Sequence, residues 1–270
     1  MSATLTADHS APARTSAPEY RLSTKGIIRS EWHKLWTLRS TWITLITASA
    51  LVIAVGITMG STYDGDDSEV DTIVFTLFGT QLSQICLAVL GILVTAGEYS
   101  TGMIRSSLAA VPRRLPVLWS KAGVFAAVAF TLCLVTNVVT FFLAQIWLAD
   151  SDKELSLTDS GVFGALTTSA ASITLLSLIA LGLGALLRSV PGAIGAFVAA
   201  VLILPEILAM LPFGAVDTAM KYFPAQAASS LGSVARVENT IAPGMAVFTL
   251  ALWAAAILTA ATMLLKRRDV

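Results

Sequence analysis

The residues whose types and spacing could do chemistry gather in one stretch, 97–121 (GEYSTGMIRSSLAAVPRRLPVLWSK). It carries Glu98, Arg105, Arg113, Arg114 and Lys121 in a chain that is 56% hydrophobic and only 13% charged. Gly97 and Gly102 have the GxxxxG spacing that opens a phosphate-binding loop. Met103 and Ile104, however, stand where such a loop needs Lys and Ser or Thr, so nothing here reaches the β- and γ-phosphates of a nucleotide. The sequence from 98 to 110 allows about three turns of helix, stopped by Pro112. Glu98 falls in the first turn, favourable for the helix dipole, and Arg105 near the middle. Met103, Ile104 and Leu108 form an apolar strip at one-turn spacing, and Tyr99 shares part of that face. Such a helix either docks into a groove on a soluble partner or anchors its loop at a membrane surface. The residues leave both readings open.

No catalytic constellation stands beside it. HExxH and GxSxG are absent, and the only histidines, His9 and His33, can build neither a metal site nor a Ser–His–Asp set. Cys86 and Cys133 lie in apolar runs without a CxxC partner and are expected to be reduced packing residues. No metal ligand set is expected. The acidic run DGDDSEVD (64–71) lacks the Gly and terminal Glu spacing of an EF-hand and reads as a solvated loop. Glu206 is the one acidic residue inside an expected span, and intramembrane carboxylates are functional candidates by default. It lies on the order of 24 Å along its span, near the far boundary, so a hydrated position and an ion or substrate site both fit. Asn137 sits mid-span, where it either bonds to a neighbouring helix or lines a pathway.

Apolar runs position these residues. A charged fraction of 13% is about half that of a soluble domain, and uncharged runs of ~18 or more residues cross a bilayer as helices. The runs predict an all-α, polytopic membrane protein with spans at about 42–60, 73–96, 118–149, 162–187, 190–212 and 243–265. Residues 1–22, rich in Ala, Ser, Thr and Pro, read as a disordered cytoplasmic tail. Residues 23–40 read as an interfacial helix: Ile27, Ile28, Trp32, Leu35, Trp36 and Leu38 share one face opposite Arg29, His33 and Lys34. Glu31 and Arg39 break that pattern. The last outer connection, 213–242, is too apolar for a solvated loop and is expected to hold short re-entrant helices broken at Pro224. The pairs Gly56/Gly60, Gly182/Gly184 and Gly192/Gly195 are weak signals of close helix packing, and Gln81 and Gln84 of interhelical bonding.

Charge orients the spans. Of the 17 basic residues, only Lys153, Lys221 and Arg236 fall on the side of the acidic loops. The positive-inside bias therefore predicts six spans with both termini cytoplasmic. The 97–121 segment, joining the second and third spans, is then cytoplasmic.

That segment resembles the connection between the second and third spans of type-2 ATP-binding-cassette (ABC) transporter permeases, especially the actinobacterial type. The matching residues are Gly97, Glu98, Tyr99, Gly102, Ile104, Arg105, Pro112, Arg113, Arg114 and Lys121. EWHKLWTLRSTW before the first span, YFPAQAASSL in the last outer loop and the basic end KRR support it. The likeness covers residues from about 25 to 270. It implies a six-helix permease subunit in a bacterial cell membrane, an exporter, with an elbow helix at 27–38. It implies ATPase-coupling roles for Gly97, Glu98, Tyr99, Gly102, Met103, Ile104, Arg105, Arg113 and Arg114. It also implies a second permease copy, as homo- or heterodimer, and a separate ATPase subunit with a Walker A loop that holds ATP and Mg. No cofactor is then expected on this chain, and no nucleic-acid partner. Asn137, Glu206, Tyr222 and Pro224 are the candidates for a pathway or outer gate. Two other classes remain: a membrane immunity or sensor protein acting by binding alone, and an intramembrane enzyme, for which no nucleophile was found.

Overall fold

A computed structural model describes residues 23–64, 71–102, 114–210, 218–234 and 240–267. The expected all-α architecture is present, and the described residues contain no strand. Six helices or helix pairs are long and apolar enough to cross a membrane.

The first helix, α1 (Thr24–Thr37), starts at Ser23, whose Oγ accepts the Gly26 amide hydrogen bond at 3.1 Å. That side chain satisfies one of the amides left over at any helix start. Leu38 is extended and separates α1 from α2 (Arg39–Ser61). Three tryptophans pack at this corner: Trp36 lies 5.5 Å from Trp32 and 4.8 Å from Trp42 by ring centroids. The Trp42 indole donates to the Trp36 carbonyl at 3.1 Å.

The run expected as one span from 73 to 96 is divided. A short α3 (Thr72–Thr76) is capped by the Asp71 carboxylate, and a turn separates it from α4 (Thr80–Ser100). The span helix therefore continues four residues past its expected end and takes in Gly97, Glu98 and Tyr99. It stops at Thr101, with Gly102 at φ +71° and its amide bonded to the Tyr99 carbonyl at 3.3 Å. Glycine favours that left-handed position because a Cβ would clash there.

Helix α5 (Arg114–Leu148) has 35 residues, which at 1.5 Å per residue is about 52 Å. A hydrocarbon core is ~30 Å thick, so turns at its ends must project beyond it unless it tilts strongly. Helix α6 (Val162–Leu187) is the central post, with 67% of its apolar window buried, the highest of the six. It packs on α4 at small residues. A Cβ on Gly91 would lie 2.7 Å from the Ser177 carbonyl oxygen, and one on Gly184 would meet the Thr95 hydroxyl. Thr95 Oγ1 donates to the Leu181 carbonyl at 2.9 Å across the same contact. Gly56 and Gly60 of α2 face Thr140 and Ala144 of α5 in the same manner, whereas Gly195 has open space around it.

The fifth span joins α7 (Val190–Phe197), a π-helical turn (Val198–Ile203) and α8 (Leu204–Ala209). The widened turn precedes Pro205, which has no amide to donate and whose ring crowds the carbonyl four residues back. Helix α9 (Pro224–Ser229) lies in the last connection, and α10 (Pro243–Arg267) is the sixth span. Helical residues at 218–220, a turn at 221–223 and α9 from Pro224 match the expected short helices broken at Pro224, whose fixed φ suits the first turn of the second one. Gln81 is exposed and Gln84 half-buried, and neither bonds to another helix among the described residues.

Candidate functional site

Four charged side chains meet where α1, α4 and α5 converge. Lys121 Nζ lies 2.7 Å from Glu31 Oε2 and 2.8 Å from Glu98 Oε1, and Lys34 Nζ lies 2.9 Å from Glu31 Oε1 and 3.3 Å from Glu98 Oε1. The result is a ring of alternating sign with no net charge. Glu31 and Glu98 are each 5% exposed and Lys121 6%. Each element delivers its member for a local reason. On α1, Glu31 and Lys34 are one turn apart and share a face, between the buried Leu35 and α5. Glu98 comes from the last turn of α4, and Lys121 from the second turn of α5.

Burial alone would push the Glu31 carboxyl up, but the Lys121 and Lys34 ammonium groups outweigh it and hold it below the usual value of 4.5. For Lys34, burial would lower the ammonium, and the Glu31 and Glu98 carboxylates more than reverse that, raising it above 10.5. Both groups of α1 are therefore held charged by their partners.

The position of Glu98 corrects two expectations. It does not open a separate connector helix: it lies in the last turn of α4, where the dipole disfavours a carboxylate and two lysines compensate. Nor is Glu206 the only acid in a membrane-length helix, since Glu98 is another. Glu206 itself is exposed in the first turn of α8.

The neighbouring Tyr99 lies under Arg188, whose guanidinium carbon sits 5.1 Å from the ring centroid. Arg188 caps α6 at φ +54°. Its Nε and Nη2 are buried without a hydrogen-bond partner among the described residues, which makes the ring contact its main compensation. Gly97 and Gly102 flank Glu98 and Tyr99 on the chain. Met103, Ile104, Arg105 and Arg113 lie outside the described residues, as does the Arg114 side chain at the start of α5.

The pathway candidates do not come together with this site. Asn137 is 1% exposed and its Nδ2 donates to the Leu166 carbonyl at 3.2 Å, an interhelical bond between α5 and α6. The exposed Tyr222 accepts from the Trp253 indole through its carbonyl at 3.0 Å, and Pro224 is buried at the start of α9. On the far side of the bundle, the Asp71 carboxylate caps α3 and also accepts from the Val234 amide at 2.8 Å, linking two connections. The Lys153 ammonium lies 6.0 Å from the Tyr63 ring centroid and the Tyr63 hydroxyl bonds to Asp152. Cys86 and Cys133 are unpaired, and among the described residues no group of His, Cys, Asp and Glu is placed to hold a metal.

Sequence reasoning singled out Glu98 and Lys121 but missed Glu31, Lys34 and Arg188 as their neighbours. One signal was present. Glu31 falls on the apolar face of α1, where a carboxylate needs a buried cation.

Fold and site define a polytopic membrane protein of six apolar helices, with a charged junction at one end of the bundle. Neither protein-family profiles nor curated proteins yield a match to the chain.

Proposed function

We propose that the chain is the membrane-spanning permease subunit of an ATP-driven ABC transporter, an exporter, whose ATPase is a separate subunit docking on the 97–121 connection. The reading begins from the GEY-to-PRR residues of that connection. The observation that carries it is the 2.8 Å contact between Glu98 and Lys121, which joins the two ends of the connection to each other. Through Glu31 and Lys34 it also joins them to α1. A load placed on the connection by a soluble partner would reach α1, α4 and α5 together instead of bending one helix end. Rigid, paired ends are what a mechanical coupling element needs, and a solvated loop needs none of them.

In this reading ATP and Mg are held by the partner's Walker A loop, and this chain has no ATPase site of its own. A second permease copy, identical or related, completes the translocation unit. The complex sits in a bacterial cell membrane with both termini of this chain cytoplasmic, as the basic-residue bias predicts.

Co-purification tests the proposal. A tagged chain extracted from its native cell in mild detergent is expected to bring down a stoichiometric partner carrying GxxxxGK[ST]. Deleting 103–111 is expected to lose that partner while the chain remains in the membrane. A homomer with no ATPase, reproducibly obtained from cells that express a functional complex, would refute it.

A further inference from the structure

A cavity of about 340 Å³ opens where the end of α4, the start of α5 and the α1–α2 corner meet. Its volume falls within the ~300–1,000 Å³ of small-molecule sites. Leu38, Leu90, Leu93, Val94 and Val124 supply an aliphatic wall, and the exposed Ser40, Ser100 and Thr101 stand at the mouth. The four residues of the ion ring belong to the same lining.

Two polar groups of this lining lack partners. Thr41 is 0% exposed, and its Oγ1 is buried without a hydrogen bond among the described residues. Lys121 and Lys34 both donate to Glu98 through Oε1, at 2.8 and 3.3 Å, and Oε2 accepts from no described residue. Polar atoms left unmet at a buried site are costly. A carboxylate oxygen can only accept, whereas a threonine hydroxyl can also donate. A ligand that meets both therefore carries an O–H or N–H donor and an acceptor.

Charge narrows the class further. The ring holds two acids and two bases, and Lys34 is already engaged by Glu31 and Glu98. An anion or a cation brought beside it would enter as an uncompensated charge. A neutral donor group adds none. The aliphatic wall in turn calls for hydrocarbon, because a free polyol would leave five apolar side chains facing water.

We infer that this cavity binds a neutral, hydroxyl-headed amphiphile of the monoacylglycerol class. One head hydroxyl donates to Glu98 Oε2, the ester carbonyl accepts from the Thr41 hydroxyl, and the acyl chain follows the Leu93–Val94 wall. The Ser100 and Thr101 hydroxyls each donate to the Gly97 carbonyl at 2.9 Å, so their oxygens are left to accept from the second head hydroxyl. The ligand ties the first turn of α2, which carries Thr41, to the last turn of α4, which carries Glu98. The inference needs only the multi-pass class of the protein and not the transport reading.

Photolabelling of the full chain in phosphatidylcholine nanodiscs tests it, since that lipid has no hydroxyl or amine donor. The probe is 1-decanoylglycerol with a diazirine in its chain, and it is expected to label the 87–101 segment. Unlabelled 1-decanoylglycerol is expected to compete about tenfold better than methyl decanoate, which has no donor. Decanoate and decylamine, charged forms with the same chain length, are expected to compete about tenfold less well than the glyceride. Thr41→Val keeps the side-chain shape and is expected to cut labelling about tenfold. Leu93→Trp fills the cavity and is expected to abolish labelling, and Thr41→Val keeps the test decisive if that variant fails to fold. Equal competition by the methyl ester or by either charged form would overturn the inference, as would unchanged labelling of Thr41→Val. Labelling that misses 87–101 would overturn it too, since the cavity would then hold water alone.

Discussion

Glu31 and Lys121 form a 2.7 Å ion pair between α1 and the second turn of α5, and both are almost fully buried. This pair attaches a helix that is not itself a span to the six-span bundle. Desolvating two charges is costly, and the contact is favourable only because each has a second partner, Lys34 for Glu31 and Glu98 for Lys121. The unit is therefore the ring of four, and its members should behave non-additively.

Lys121→Met leaves two buried carboxylates to share Lys34. Breaking a buried pair from one side costs about 3–5 kcal/mol, so the variant should melt well below the parent in detergent. Adding Glu98→Gln restores equal numbers of acids and bases and should recover part of the loss. Additive losses in the two single variants and the double variant would show that the four groups do not act together.

The seating of α1 should depend on pH at both extremes and be flat between them. The Glu31 value is depressed in the folded state, so its contribution is complete above 4.5 and is lost as pH falls through the lower folded value. The Lys34 value is raised, so its contribution is complete below 10.5 and is lost as pH rises through the higher folded value. Hydrogen exchange of the α1 amides, corrected for intrinsic rates, should show protection falling only below about 4.5 and above about 10.5. A transition near neutrality would contradict the ring.

Small residues should matter only where helices touch. A Cβ at Gly91 would sit 2.7 Å from a backbone oxygen of α6, which cannot swing aside. Gly91→Ala should destabilise by about 1–3 kcal/mol. Gly195, with nothing near its Cβ position, should accept Ala with a gain of about 0.5–1 kcal/mol from the lower backbone freedom. Thermal melting of the two variants checks both signs.

Orientation can be read by labelling. Ser100 and Thr158 are exposed at opposite ends of the bundle. With Cys86 and Cys133 replaced by Ala, Thr158→Cys should react with an impermeant maleimide on intact cells. Ser100→Cys should react only after permeabilisation. The reverse pattern would invert the topology that the basic residues predict.

The spans were legible because membrane-length helices are a one-dimensional property: an uncharged run of sufficient length is visible without knowing its neighbours. The helix within 23–40 and the packing role of Gly56 and Gly60 are similarly local, or nearly so, whereas the break at Leu38, a residue the periodicity places on the face of that helix, is not. Even the misjudged boundary at 96 follows from this. Glu98 looks like the start of a solvated segment when its partners are unknown, yet the helix runs on because Lys34 and Lys121 neutralise it. The division of the second run at 77–79 also escaped the sequence, since no charge or proline marks it.

The sequence by itself determined how many helices are long enough to span a bilayer, where the basic residues concentrate, and that the 97–121 segment stands apart in charge. Tertiary structure alone decided that Glu31, Lys34, Glu98 and Lys121 form one ring. Their segments are distant in the chain, and a pairwise Coulomb contact leaves no periodic trace in any of them. It also decided that Arg188 lies over Tyr99 and that an aliphatic slot remains beside Lys34. Those are consequences of how α1, α4, α5 and α6 converge, and convergence is set by the side chains of all four helices at once.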